Sequence, residues 1–220
     1  MAIYPLTSVQ QAVWFDQLLT PSTPCYNVGA LWRIERDIDI PLLNRAIKEI
    51  FSQHDALKLT LEDSEQGVIQ TTVSNRDLTL EYHDFSLDKN ARQKALYYFR
   101  EKLNQPFKLY EELLWRCVFI KISATTGYWL INVHHIIVDG TSVSLLSGMI
   151  MDRYKQLKSG QIPSPVAVYN YRDFIANDQA YMQSTRYERD RAFWLERFAD
   201  AGPAGMERRP GFAADQVWPS

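Results

Sequence analysis

The chain has 220 residues, of which 46% are hydrophobic and 13% aromatic, enough apolar material for one sizeable core or one lobe of a larger fold and too much for a disordered segment. Its 24 basic and 26 acidic side chains leave a formal charge of −2, with no run of like charge that would suit a nucleic-acid surface or form an acidic tail. No apolar run approaches the roughly 20 residues that cross a bilayer, and no basic region precedes an apolar stretch at the N-terminus, so a cytoplasmic protein with neither nucleic acid nor membrane as partner is expected.

Thr7 or Ser8 can cap a helix running to Leu19, with Val13, Trp14, Phe15 and Leu18 as its apolar stripe and Thr20-Pro21 as its end. Asn27 to Arg36 reads as a strand. Asp39 and Pro41 then open a helix to about Gln53 whose inner face is Leu42, Leu43, Ala46, Ile47 and Ile50. Leu57 to Leu61 alternates as a strand should, and Gly67 to Val73 and Leu78 to Tyr82 are further strand candidates. An amphipathic helix is expected over 88–104, ending before Pro106. Leu113 to Ile122 and Gly127 to His134 form two apolar strands joined by a turn, and the second leads into paired histidines. Val143, Leu146, Ile150, Tyr154 and Leu157 recur at spacings of three and four, which places a helix over 141–157 that ends at Ser159-Gly160.

Pro163 and Pro165 interrupt the pattern, two helices are expected at about 170–184 and 186–199, and the tail from Ala201 to Ser220 reads as a connector. Hairpins mixed with helices point to an α/β or α+β fold, one sheet covered by helices. Cys25 and Cys117 form no CxxC pair and are expected to be reduced, packed thiols.

The segment His134-His135-Ile136-Ile137-Val138-Asp139-Gly140 carries the chemistry. Regular alternation puts Trp129, Ile131, Val133 and His135 on one face of the strand and Tyr128, Leu130, Asn132 and His134 on the other. His135, continuing the apolar face, is then expected to be partly desolvated and neutral, as a general base must be. Asp139 stands at the mouth of the next helix, either as its cap or as the partner of a bond that fixes the loop, and Gly140 beside it offers backbone freedom. Adjacent strand histidines diverge, and no second ligand cluster is visible, which argues against a metal site. Gly140-Thr141-Ser142-Val143-Ser144 is not a nucleophile elbow, and no glycine-rich loop suits a nucleotide.

As HHxxxDG, the loop resembles the signature of the condensation domains of nonribosomal peptide synthetases, relatives of chloramphenicol acetyltransferase. Leu6 to Phe15 resembles that family's opening helix, Ser52-Gln53-His54-Asp55-Ala56-Leu57-Lys58 its RHExLR segment, Tyr171-Arg172-Asp173-Phe174 its YxDF segment, and Phe193 to Phe198 the helix that follows.

The resemblance implies an α/β chloramphenicol acetyltransferase-like lobe with a mixed central sheet and helices packed on it. Residues 1–200 would be the N-terminal lobe of a two-lobed domain, and 201–220 a connector toward a C-terminal lobe. It implies amide formation between an acyl thioester and an amine, both delivered on phosphopantetheine arms of carrier proteins, with no cofactor held by the domain. His135 would be the catalytic base or positioning group, with the Gly140 amide near the reacting carbonyl and His134, Asp139, Gly140, Gln53 and Lys58 as supports of the loop. The sequence departs from the pattern at Gln53 and Lys58, where the family carries arginines; the first of these is the family's usual ion-pair partner for the loop aspartate, a place from which Gln53 would hydrogen-bond Asp139. Two other functions fit the same residues, a stand-alone acyltransferase using coenzyme A thioesters and a non-catalytic lobe that docks carrier proteins. On the two-lobe reading, the 220 residues by themselves are expected to turn over little or no substrate.

Overall fold

The structure is a computed structural model that describes residues 3–65, 67–72, 79–161 and 170–200. Val73, Leu78, the proline-rich stretch 162–169 and the expected connector 201–220 lie outside the described residues. By internal contacts the chain divides into two compact units, Met1–Asp178 and Gln179–Ser220.

In the first unit the helix of the paired apolar spacing, α2 (Ile40–Gln53), starts where Asp39 accepts a hydrogen bond from the Leu42 amide and Pro41 occupies the first turn. It buries Leu43, Ala46, Ile47, Ile50 and Phe51, each large side chain contributing about 1.5–3 kcal/mol. Against it packs α4 (Gly140–Lys158) through Val143, Leu146, Ile150 and Tyr154. A left-handed Gly160 follows the end of α4.

These helices cover one face of a four-stranded mixed sheet ordered β2 (Asn27–Ile34), β7 (Gly127–His134), β6 (Trp115–Lys121), β5 (Glu81–Asp84), antiparallel except for the β5–β6 pair. Helix α3 (Ala91–Asn104) covers the opposite face. The alternation expected of β7 holds: Trp129, Ile131 and Val133 join the core under α2 and α4, while Tyr128 and Leu130 join Ala95 and Phe99 of α3. Every residue of β7 is buried, as a central strand covered on both faces requires.

Beside the mixed sheet stands a second, antiparallel one ordered β1 (Ile3–Pro5), β4 (Gly67–Thr72), β3 (Leu59–Ser64). Leu57 and Lys58 belong not to β3 but to a 3-10 turn over Asp55–Lys58. The strand expected over 78–82 is displaced to Glu81–Asp84.

Helix α1 (Ser8–Leu19) corrects the sequence reading most. Thr7 caps it, with the reciprocal Gln10 bond of a capping box. Its fully buried residues are Gln10 and Gln17; of the expected stripe Val13 and Trp14 pack partly buried against the core, whereas Phe15 and Leu18 are exposed.

The cysteines divide as well. Cys117 is buried, its thiol pushed up to about 12 by burial and bonded by the Trp129 indole N–H, but Cys25 is exposed rather than packed.

α5 (Tyr171–Met182) runs from the first unit into the second, and α6 (Thr185–Arg197) is capped by Ser184. No helix among the described residues is long and apolar enough to cross a membrane.

Candidate active site

Strand β7 delivers its last residue, His134, opposite Asn27 of β2. Successive backbone amides there point to opposite neighbours, so the His134 N–H bonds the Leu114 carbonyl and the His135 N–H the Tyr26 carbonyl, each at 2.8 Å. The chain then turns, with the Ile137 N–H on the His134 carbonyl at 3.2 Å, and Ile136 and Ile137 enter the core.

The two histidines part as adjacent strand residues must. His134 is 1% exposed, between the rings of Tyr26 at 5.9 Å and Phe107 at 6.1 Å. Burial, with the adjacent His135 adding to it, lowers its pKa from 6.5 to about 4, so its ring is neutral at neutral pH. Its Nδ1 accepts from the Ile136 N–H at 3.1 Å, and its Nε2 lies 3.3 Å from Gln17 Oε1. His135 is exposed. The partial desolvation expected for it is therefore not met in this structure: β7 ends at His134, so the apolar face of the strand does not continue through residue 135.

His135 lines an open cleft of about 450 Å³. One wall is α1 with Thr7, Val9, Gln10 and Val13; another is the corner His54-Asp55-Ala56; Tyr171 and Phe174 of α5 complete it. Both Asp55 carboxylate oxygens accept the Tyr171 N–H at 3.0 Å, which holds the start of α5 to that corner. Burial lowers the pKa of His54, against an opposing pull from Asp55, and its Nε2 has no hydrogen-bond partner among the described residues.

At the loop's far end Asp139 caps α4, accepting from the Ser142 amide at 2.7 Å and the Ser142 hydroxyl at 2.6 Å. The Ser142 hydroxyl, then its amide, hold the carboxyl below its ordinary range. Gly140 is exposed at the first position of α4, outside the left-handed region, and a Cβ there would meet nothing within 4 Å. The backbone freedom expected of Gly140 is thus unused in this conformation.

Among the described residues neither Gln53 nor Lys58 makes a hydrogen bond to the loop. Lys58 Nζ donates to the Ser52 carbonyl at 2.8 Å and closes the corner after α2, while Gln53 Oε1 is buried with no partner among the described residues. Asp139 spends its carboxylate on its own helix, leaving residue 53 without the bond the sequence suggested.

The residues that do reach the loop escaped the sequence reading. Gln10 Nε2 donates to the Ile136 carbonyl at 3.0 Å and pairs reciprocally with Gln70 at 2.9 Å, while Gln17 meets His134. The one available signal was their spacing of seven on a capped helix, which puts two polar side chains on one face. No group of three His, Cys, Asp or Glu side chains placed to hold a metal ion occurs among the described residues.

Comparison with known proteins points in one direction. The family model described as the condensation domain matches residues 1–205. Surfactin synthase subunit 1 of Bacillus subtilis (strain 168) is 31% identical over 201 residues, a match that covers 90% of this chain and 6% of that protein. The dimodular nonribosomal peptide synthase of the same organism is 30% identical over 199 residues, covering 90% and 8%. Among solved structures, the first condensation domain of the calcium-dependent antibiotic synthetase, in complex with a substrate analogue, superposes with a TM-score of 0.83 at 26% identity, covering 92% of this chain and 48% of that one. The starter condensation domain of rhizomide synthetase, 24% identical, shares the fold with a TM-score of 0.86, covering 92% and 49%. The chain spans about half the length of these solved domains and a small fraction of the curated synthetases.

Proposed function

The chain belongs to the condensation-domain family, and from that premise we propose that it forms the histidine-bearing lobe of an enzyme that makes amide bonds in nonribosomal peptide synthesis. Residues 1–200 are read as the N-terminal lobe and 201–220 as a connector to a second lobe. The half-length match to solved condensation domains supports that division.

The observation that carries the reading is an exposed imidazole, His135, on the wall of a cleft, next to a second imidazole buried and bonded into the fold. An acyl thioester and an amine, each on the phosphopantetheine arm of a carrier protein, would meet in that cleft. The amine nitrogen attacks the thioester carbonyl carbon. A C–N bond forms, the C–S bond breaks, and the electron pair leaves with sulfur. His135, through a ring-nitrogen lone pair, orients the amine or takes its proton, which ends on the departing thiolate, so one amide and one free thiol result. Bringing two tethered reactants together supplies much of the acceleration, and the protein need hold no cofactor of its own.

The experiment is amide formation by the full-length protein with loaded donor and acceptor carriers. His135→Ala is expected to lower turnover by about 100-fold or more. Unchanged turnover in His135→Ala would replace this reading with a carrier-docking lobe. Full-rate product from a coenzyme A thioester and free amine, with no carrier present, would replace it with a stand-alone acyltransferase.

A further inference from the structure

We infer that the buried glutamine face of α1 is the clamp of the histidine loop: Gln17 fixes the His134 ring with its hydrogen on Nε2, Gln10 with Gln70 holds the Ile136 carbonyl, and Gln10 and Gln17 are positioning residues for His135. The positioning role rests on the reading of His135 as catalytic. The tautomer assignment does not.

The polarity of each bond is forced by a backbone group that has only one role. The Ile136 N–H can only donate, and it lies 3.1 Å from His134 Nδ1, so Nδ1 carries no hydrogen. In the neutral ring the hydrogen is then on Nε2, 3.3 Å from Gln17 Oε1. The Gln17 amide is not free to turn over, because its Nε2 donates to the Thr20 carbonyl at 2.8 Å and the Thr23 carbonyl at 3.2 Å, and carbonyls only accept. Gln10 is oriented in the same way, its Oε1 accepting the Thr7 N–H at 3.0 Å so that its Nε2 faces the Ile136 carbonyl. Gln70 completes the set, donating to the Pro5 carbonyl at 2.8 Å.

The three glutamines are 3%, 5% and 0% exposed in the order 10, 17, 70, so these bonds are made away from competing water. Ile136 is therefore held by both its N–H and its C=O, and the amide of His135 by Tyr26. His135 keeps only its side-chain rotations, swinging from a Cα whose neighbouring peptides are fixed. A loop so placed can lose the arginine at position 53 and still present its imidazole. Releasing the clamp would let the ring drift, and a misplacement near 1 Å can cost on the order of 100-fold in rate.

Two measurements test this. The chain has four histidines, so nitrogen NMR of the labelled rings can assign each tautomer. His134 is expected as the neutral ring with hydrogen on Nε2 at neutral pH; hydrogen on Nδ1, or a doubly protonated ring, would overturn the assignment even if no variant folds. In the full-length protein with loaded carriers, Gln10→Leu and Gln17→Leu are each expected to lower kcat about 10- to 100-fold with KM changed by less than about threefold, and Gln17→Leu to alter the His134 ring signals. Wild-type kcat in both variants, or a loss no larger than the loss of folded protein, would overturn the positioning role. Amide formation indifferent to His135→Ala would sink the catalytic reading and the positioning role with it, while the tautomer of His134 would still be decided by its own measurement.

Discussion

His134 and Ile136, 1% and 3% exposed, form one region of the loop, and His135, Asp139 and Gly140 form another that faces solvent. In the first region the imidazole and the peptide groups are matched by Gln10, Gln17 and the adjacent strands. In the second, the one strong side-chain contact is local, Asp139 capping its own helix. The difference teaches where the stability and the chemistry of this loop reside: burial fixes the path of the chain, and the side chains left over are free to meet a substrate.

Truncating the buried region gives the largest expected effect. Ile136→Ala removes an apolar side chain from a core that includes Ile137, Val143 and Leu146, and should cost about 2–5 kcal/mol in denaturant unfolding. A loss under about 1 kcal/mol would mean that the loop is not anchored where its burial suggests.

Protonation probes the same region through His134. Its pKa is lowered from 6.5 to about 4 in the fold, so below pH 6.5 the unfolded chain binds a proton that the folded chain refuses. Stability contributed by this group is therefore intact above pH 6.5, falls as pH drops toward 4, and changes no further below that. The shift corresponds to about 2 kcal/mol lost by pH 5 and about 3 kcal/mol in all. Unfolding at pH 7 and pH 5 should show a drop larger by about 2 kcal/mol in the wild type than in His134→Gln. Equal drops in both would place the His134 ring in water-like surroundings and erase the contrast with His135.

The two regions were not equally legible in the sequence. The strand over Gly127–His134, the helices α2 and α4 and the divergence of the histidines followed from periodicity, because apolar burial leaves an apolar pattern. The clamp left no such pattern. α1 turns Gln10 and Gln17 inward because the loop offers carbonyls and a ring nitrogen that only polar side chains can satisfy, and pattern reading chose Phe15 and Leu18 instead. Strand β5 was misplaced for a similar reason, since Glu81 and His83 are joined to each other at 2.9 Å and Glu81 to Lys102 at 2.9 Å, a network invisible to hydropathy. The three-residue strand β1 is too short to show alternation. At position 53 the motif suggested a partner for Asp139, but Ser142, three residues on, is nearer by construction of the helix and takes the carboxylate first.

The smallest expected effect on the fold is in the exposed region, at Gly140. An added methyl group meets nothing within 4 Å, the backbone is outside the left-handed region, and alanine suits a helix better than glycine. Gly140→Ala should leave unfolding stability unchanged or raised by up to about 1 kcal/mol. Amide formation by the same variant then separates two reasons for a glycine there. If turnover falls while stability holds, the missing Cβ serves a substrate that approaches the start of α4, the place the family resemblance implies for the Gly140 amide near the reacting carbonyl. If turnover and stability are both unchanged, the exposed region reduces to His135 and the cap beneath it, and the contrast within the loop narrows to one buried and one open imidazole.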